Sequence, residues 1–275
     1  MLPIGIRFYT RQLEHTTMPK IAIITPCYNA HPDLILAHFM SLDRQHCNDS
    51  FIHIVVDDAS TNEETRVTLA ACCQARKANT VLISMDTQSG PGAARNRAIR
   101  FLAKLGGIEY ACLLDIDDYF ESDALSVREA ILDKNEELVA VYGHKYSEIR
   151  TLVNNELEVA SKILEETPVF DKPKLMRECY IPSCSVMFRW GPFIKYVGEF
   201  REDVRLCEDW LVWRKLSMLG RFKRINIPVY TQTLNGNNLT TNKSVLANHH
   251  RDMITTKLDF DEWLFENAPK GILQP

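Results

Sequence analysis

Five short apolar runs rich in β-branched residues recur along the chain, at KIAIIT (20–25), FIHIVVD (51–57), NTVLIS (79–84), YACLLD (110–115) and LVAVY (138–142). Strands buried on both faces read as such near-continuous apolar runs, so the rhythm predicts an α/β fold with a buried, mostly parallel central sheet flanked by helices. The intervening segments carry apolar residues at helical spacing: Leu34, Ile35, Phe39 and Leu42, then Ala94, Ala98, Ile99 and Leu102, then Leu125, Val127, Ile131 and Leu132. Each set forms a stripe able to cover one face of the sheet. After Gly143 the alternation fades, and the charged, proline-containing stretch 144–182 predicts loops and a helix around the site. A strand follows at CSVMF (184–188), then a helix at EDWLVWRKLSML (208–219), expected to end at Gly220 in the left-handed conformation. RINIPVY (224–230) reads as a further strand. QTLNGNNLTTN (232–242) is a turn-rich loop, and a last helix is expected from about 244 to 266.

Composition narrows the function classes. The chain has 275 residues, enough for one large core, and its 32 basic and 36 acidic residues leave a net charge of −4. With no dense basic block to grip phosphate backbones, nucleic acid is excluded as a partner. Eight cysteines are scattered without a C-x-x-C, which suggests neither a zinc knuckle nor a disulfide framework and fits a reducing cytoplasm. The opening MLPIGIRFYTRQLEH lacks the apolar core of a signal peptide, and no run of about 18 apolar residues could cross a bilayer. A cytoplasmic protein without a transmembrane segment is expected, with peripheral membrane contact left open.

In open α/β sheets ligands bind beyond the carboxyl ends of the parallel strands. The first strand runs into Thr25-Pro26-Cys27-Tyr28-Asn29, which offers backbone groups and one aromatic face to a flat base; a proline turn with Asn29 capping a helix fits it too. Asp57-Asp58-Ala59-Ser60 ends the second strand. A carboxylate there can accept the imide proton of uracil or a ribose hydroxyl, or it can cap the next helix. In Gly90-Pro91-Gly92-Ala93-Ala94-Arg95-Asn96 the glycines permit close backbone approach and Arg95 offers a fork of donors, although the loop lacks the Lys-Ser/Thr of a P-loop. Leu113-Leu114-Asp115-Ile116-Asp117-Asp118 sets three carboxylates at the end of a buried strand. Like charges so close repel, and a hard cation such as Mn²⁺ or Mg²⁺ would relieve them. Asp117 is the first choice for direct ligation and Asp118 the next, with Asp115 acting through hydrogen bonds on the nucleotide side. Glu208-Asp209-Trp210 opens a later helix, where acids favour the dipole. An acid beside Trp210 is also partly desolvated and suited to deprotonating a hydroxyl, with Glu208 and Trp210 beside the acceptor.

Taken in order, T-P-C-Y-N, V-V-D-D-A-S-T, G-P-G-A-A-R-N-R-A, L-L-D-I-D-D-Y and C-E-D-W resemble glycosyltransferase family 2, whose members have the GT-A nucleotide-sugar fold. The resemblance implies that Thr25, Pro26, Tyr28, Asp57, Asp58 and Arg95 serve the nucleoside pocket. It implies further that Asp117 and Asp118 form the metal motif and that Asp209 is the catalytic base. The implied reaction is a single inverting displacement, from a nucleoside-diphosphate sugar such as a UDP-sugar to a hydroxyl on a glycan, glycolipid or protein. One sugar per encounter is expected, because neither Q-x-x-R-W nor membrane spans are present. The expected organisation is a tail (1–18), a catalytic domain (19–230, nucleotide-binding to 120, acceptor-binding beyond) and a flexible loop with a terminal helix (231–275). The loop at 231–243 is expected to close over bound nucleotide. Rival readings are an aspartate-dependent phosphatase or phosphomutase, suggested by Asp115-Ile116-Asp117, a non-catalytic sugar-nucleotide-binding module, and a dinucleotide dehydrogenase. The last is weakened by the missing glycine turn after the first strand.

Overall fold

The computed structural model describes residues 19–46, 51–76, 79–154, 156–236, 238 and 243–271. The expected tail at 1–18 and residues 237 and 239–242 of the expected closing loop lie outside the described residues. In chain order the elements are β1 (Ile21–Cys27), α1 (Pro32–Asp43), β2 (Phe51–Asp57), α2 (Glu63–Ala75), β3 (Thr80–Ser84), α3 (Pro91–Leu105), β4 (Tyr110–Leu113) and β5 (Tyr119–Phe120). They continue as α4 (Ala124–Lys134), β6 (Leu138–Val153), β7 (Glu156–Glu165), α5 (Lys172–Leu175), β8 (Val186–Arg189), α6 (Trp190–Pro192), α7 (Glu208–Ser217), β9 (Arg221–Leu234), α8 (Lys243–Leu246) and α9 (His249–Asn267).

One sheet runs in the order β3-β2-β1-β4-β8-β6-β9-β5, and β7 pairs with β6 beside that path. Pairing is parallel from β3 through β4, antiparallel on both sides of β8, and parallel again between β6 and β9. The expected α/β architecture is present, and its apolar runs are buried on both faces. Successive side chains of a strand point to opposite faces. In β1, Ile21 and Ile23 join Phe51, Tyr110 and Leu132 on one side, whereas Ala22 and Ile24 join Ile54, Val56, Leu102 and Trp213 on the other. Full burial of each large aliphatic side chain stabilises by about 1.5–3 kcal/mol. β1, β2 and β4 end side by side, which sets their terminal residues together.

Three expectations need correction. Residues 231–234, expected in the closing loop, continue β9 and pair with Tyr146–Ile149 of β6. The stretch 144–182 is dominated by a β-hairpin: β6 continues to Val153, and the chain turns near Asn154, which adopts φ 50°, into β7. Most β7 side chains are exposed, so neither face shows the apolar alternation that marks a half-buried strand. The helix at Glu208 ends at Ser217, and Gly220 does not adopt the left-handed conformation. Gly220 serves close packing instead, because a Cβ there would lie 2.9 Å from the Val139 Cβ.

Candidate active site

The ends of β1 and β2 are fastened by Asn29. Its backbone N–H donates to the Ser60 Oγ at 2.9 Å, and its side-chain carbonyl accepts the N–H groups of Thr61 and Asn62, each at 2.9 Å. Asn62 in turn caps α2 through the Thr65 N–H. Tyr28 is left 42% exposed on this ledge, with an accessible ring. Thr25 lies beneath it, fully buried. Its hydroxyl is 2.9 Å from the His53 Nε2 and 3.5 Å from the His38 Nε2, while the His38 Nδ1 is 3.0 Å from the Asp118 backbone carbonyl. A carbonyl only accepts, so the His38 proton sits on Nδ1 and Nε2 is left to accept. Burial drives the His38 pKa down to about 4 and keeps the ring neutral. Thr25 and these two histidines thus brace the acidic turn from below. His38 and His53 escaped the sequence analysis because each sits inside an apolar pattern that reads only as core.

Asp57 accepts the Ser60 N–H at 3.1 Å. Both carboxylate oxygens of Asp58 accept backbone N–H groups, from Ser89 and Gly90, each at 2.7 Å, which fixes the loop leading into α3. Burial raises the Asp58 pKa, and these two bonds oppose the rise. The glycines of this loop meet the segment that precedes α7. A Cβ on Gly90 (φ 98°) would sit 1.9 Å from the Arg205 Nη1, and one on Gly92 would sit 2.5 Å from the Arg201 carbonyl oxygen.

Arg95 turns inward from α3 and is only 3% exposed. It donates from Nη2 to the Asp115 Oδ1 at 2.8 Å and from Nη1 to Glu208. Its guanidinium lies over the Phe200 ring, 5.6 Å from the centroid. Burial opposes its charge, but Asp115, Glu208 and Asp209 together raise its pKa above the ordinary value. One buried cation therefore links the end of β4 to the start of α7, and both its forks are occupied by protein.

Burial first, and then the charge of Asp115, pushes Asp117 up to about 7; its Oδ2 accepts from the Asn238 Nδ2 at 3.2 Å. Asp118 is raised well above the ordinary value by burial and by Asp117 and Asp115, although it accepts the Thr233 N–H at 2.9 Å. Donor atoms of Asp115, Asp118 and Cys184 lie within 4.8 Å of one another, so these side chains could hold a metal ion, whereas Asp117 faces Asn238. Cys184 was read from sequence only as the start of a strand. In the fold its Sγ accepts the Asp115 N–H at 3.4 Å, and burial keeps the thiol protonated well above its ordinary range.

Glu208 and Asp209 open α7 behind Cys207, which adopts φ 68°. Asn29, Ala59 and Cys207 are three of the four non-glycine residues with positive φ among the described residues, and all three border the site. Such conformations cost on the order of 1–3 kcal/mol each and persist where the surroundings enforce them. Burial first, then the Glu208 charge, lifts Asp209 to about 7, with Arg95 opposing. Trp210 is 4% exposed, donates its indole N–H to the Leu175 carbonyl at 2.6 Å and lies under the Arg214 guanidinium. Its ring is occupied by protein and helps hold α7 in place. The sheet thus brings together Asp57, Asp58, Arg95, Asp115, Asp117, Asp118, Glu208 and Asp209, with Tyr28 at the rim.

Comparison with known proteins identifies the fold and the family. Chondroitin synthase from Escherichia coli is 25% identical over 248 residues, which are 86% of this chain and 33% of that protein, so the chain spans about a third of this relative's length. Among solved structures, S. aureus TarS 1-349 in complex with UDP aligns with a TM-score of 0.59 at 22% identity, over 90% of this chain and 70% of that one. The mannosyltransferase PcManGT from Pyrobaculum calidifontis, in complex with GDP-Man and Mn²⁺, aligns at 0.58 with 18% identity, over 92% and 76%. These likenesses establish the GT-A-type fold. The model of the family described as Glycosyl transferase family 2 matches residues 22–190, well over half of the sequence, and the chain belongs to that family.

Proposed function

We propose that the chain transfers one sugar from a nucleoside-diphosphate sugar, a UDP-sugar in the first instance, to a hydroxyl of a glycan or glycolipid acceptor, with inversion at the anomeric carbon. The observation that carries this reading is the Arg95 bridge between Asp115 and Glu208, which brings the acidic turn after β4 beside Asp209. A donor diphosphate over the one and an acceptor hydroxyl at the other would then meet in a single site.

Asp118 and Asp115, whose donor atoms lie together with the Cys184 Sγ, are the residues that would hold a divalent cation, and Asp117, the first choice from sequence, stands beside them bonded to Asn238. The raised proton affinities of Asp117 and Asp118 support the fit: burial and the neighbouring carboxylates disfavour their charges, and the guanidinium of Arg95 is spent on Asp115 and Glu208. When bound, such an ion supplies positive charge to a departing diphosphate. The protein's own residues divide the remaining work. Tyr28 offers an exposed ring to the base, and Asp57 and Asp58 shape the nucleoside ledge. Asp209 takes the acceptor proton as oxygen attacks the anomeric carbon and the bond to the diphosphate breaks. A base that titrates near neutrality is well matched to that step. Nucleotide complexes of TarS with UDP and UDP-GlcNAc, and of PcManGT with GDP-Man, support a nucleotide-linked donor and leave both uracil and guanine forms in play.

The test is a panel of UDP-, GDP- and dTDP-sugars with oligosaccharide acceptors, with and without Mn²⁺, in which the anomeric configuration of the product is read by NMR. A β-linked product from an α-linked donor is expected. A retained configuration, or release of inorganic phosphate from phosphosugars in place of transfer, would overturn the reading.

A further inference from the structure

Asp209 depends on the segment that delivers it, and that segment is tied down by a helix outside the sheet. Residues 199–207 lie across the start of α3. The Asn96 side chain donates to the Phe200 carbonyl and accepts its N–H, both at 2.8 Å, and Arg201 pairs with Asp259 of α9 at 3.0 Å. The last tie before α7 is Asp252. Its Oδ2 accepts the backbone N–H of Arg205 at 3.0 Å and of Leu206 at 3.3 Å.

Asp252 is fully buried and belongs to the row Asp252, Thr256, Phe260, Trp263 and Asn267, the face of α9 turned into the protein. An acid near a helix N-terminus ordinarily serves its own helix, by capping or through the dipole. Here Oδ1 pairs with the exposed neighbour Arg251 at 3.2 Å, while Oδ2 accepts from a different segment, two residues before the strained Cys207 and four before the acid at the centre of the site. The same anchor presents the Arg205 side chain, whose guanidinium fills the space over the bare Cα of Gly90 and acts on Asp58 by its charge.

The geometry points to Asp252 as a positioning residue of the transfer reaction: it fixes the amides of Arg205 and Leu206, and through them sets Asp209 on the acceptor side and Arg205 over the donor nucleotide's ledge. This rests on Asp209 being the base.

Transfer kinetics are measured for Asp252→Ala, Asp252→Glu, Asp252→Asn and Trp263→Phe, alongside hydrogen–deuterium exchange across 203–210 in the nucleotide-free protein. A displacement near 1 Å can cost on the order of 10²-fold in rate. Asp252→Ala is expected to lower kcat by about that factor, to raise the donor KM, and to speed exchange at 205 and 206. Asp252→Glu, which keeps the charge but moves the oxygens by a methylene, is expected to fall between, and it carries the test should the alanine variant not fold. Asp252→Asn is expected to restore kcat to within severalfold, because one carbonyl oxygen can accept both amides as Oδ2 does. Trp263→Phe removes the indole's bond to the Tyr196 carbonyl elsewhere on α9 and is expected to lower Tm while leaving kcat and exchange at 205–206 unchanged. Wild-type kinetics in Asp252→Ala or Asp252→Glu, an Asp252→Asn as impaired as Asp252→Ala, or an equal kcat loss in Trp263→Phe would overturn the proposal. If the unmodified protein transfers no sugar, the reading of Asp209 fails instead, and the exchange data still decide whether Asp252 holds the segment.

Discussion

At the scale of single residues, the site is a set of acids whose charges are costly where they stand. Asp209→Asn is expected to lower transfer by about 10²–10⁴-fold. Nucleotide binding, followed by calorimetry, should persist, because the substitution leaves the ledge intact. With Asp209 lifted to about 7, the deprotonated base becomes available only as pH rises through that value. The kcat/KM of the free enzyme should therefore climb through about pH 7 and level above it, and a profile flat from pH 5 to 8 would contradict the assignment. Arg95 carries the opposite burden, since its two carboxylate partners are stranded without it. Breaking a buried ion pair by removing one partner costs about 3–5 kcal/mol, so Arg95→Met should lose that much in urea denaturation. Lysine should not rescue it, because one ammonium cannot fork between Asp115 and Glu208. From sequence Arg95 is a donor to base or phosphate. Its neighbours in space are needed to see both forks occupied.

At the scale of elements, the loop into α3 and the segment before α7 are held at contact distance by the absence of side chains. Gly92→Ala places a methyl against the Arg201 carbonyl, and neither backbone can yield without moving the other. A destabilisation of about 1–3 kcal/mol is expected, read as a lower denaturation midpoint, together with a loss of kcat because the displaced segment is the one that carries Asp209. The glycines were legible as sites of close approach, and the sequence left open whether base, phosphate or chain would approach them. The hairpin of β6 and β7 was not legible. Ile149, Val159 and Ile163 are exposed, so burial imposes no periodicity on that stretch, and pairing with β6 is what makes it a strand.

At the scale of the whole molecule, raised proton affinities become a dependence of stability on pH. Asp117 and Asp209 stand near 7 and Asp118 well above the ordinary value of 3.8, so the folded protein retains protons that the unfolded chain releases between about pH 4 and 7. Stability falls as pH rises wherever the folded state binds more protons. These acids therefore pull the metal-free Tm down as pH rises, against the buried His38 and His53, whose lowered pKa values pull it up below about 6.5, so the decline should show between about pH 6.5 and 7. Mn²⁺ with a nucleoside diphosphate should recover it most at the neutral end, by about 2.7 kcal/mol at a hundredfold excess over Kd. A ligand response independent of pH would separate the acids from the cation. What the sequence alone determined is whatever a local pattern encodes: the apolar runs that become buried strands, their order, and the polar clusters that must stand at strand ends. Partnership was settled only by the tertiary structure. Arg95 is spent on Asp115 and Glu208, Trp210 is packed away under Arg214, Cys184 is set against Asp115, and Asp252 holds the segment before α7. The physical reason is that hydrogen bonds and ion pairs act over a few ångströms in space, between residues that the chain separates by tens of positions.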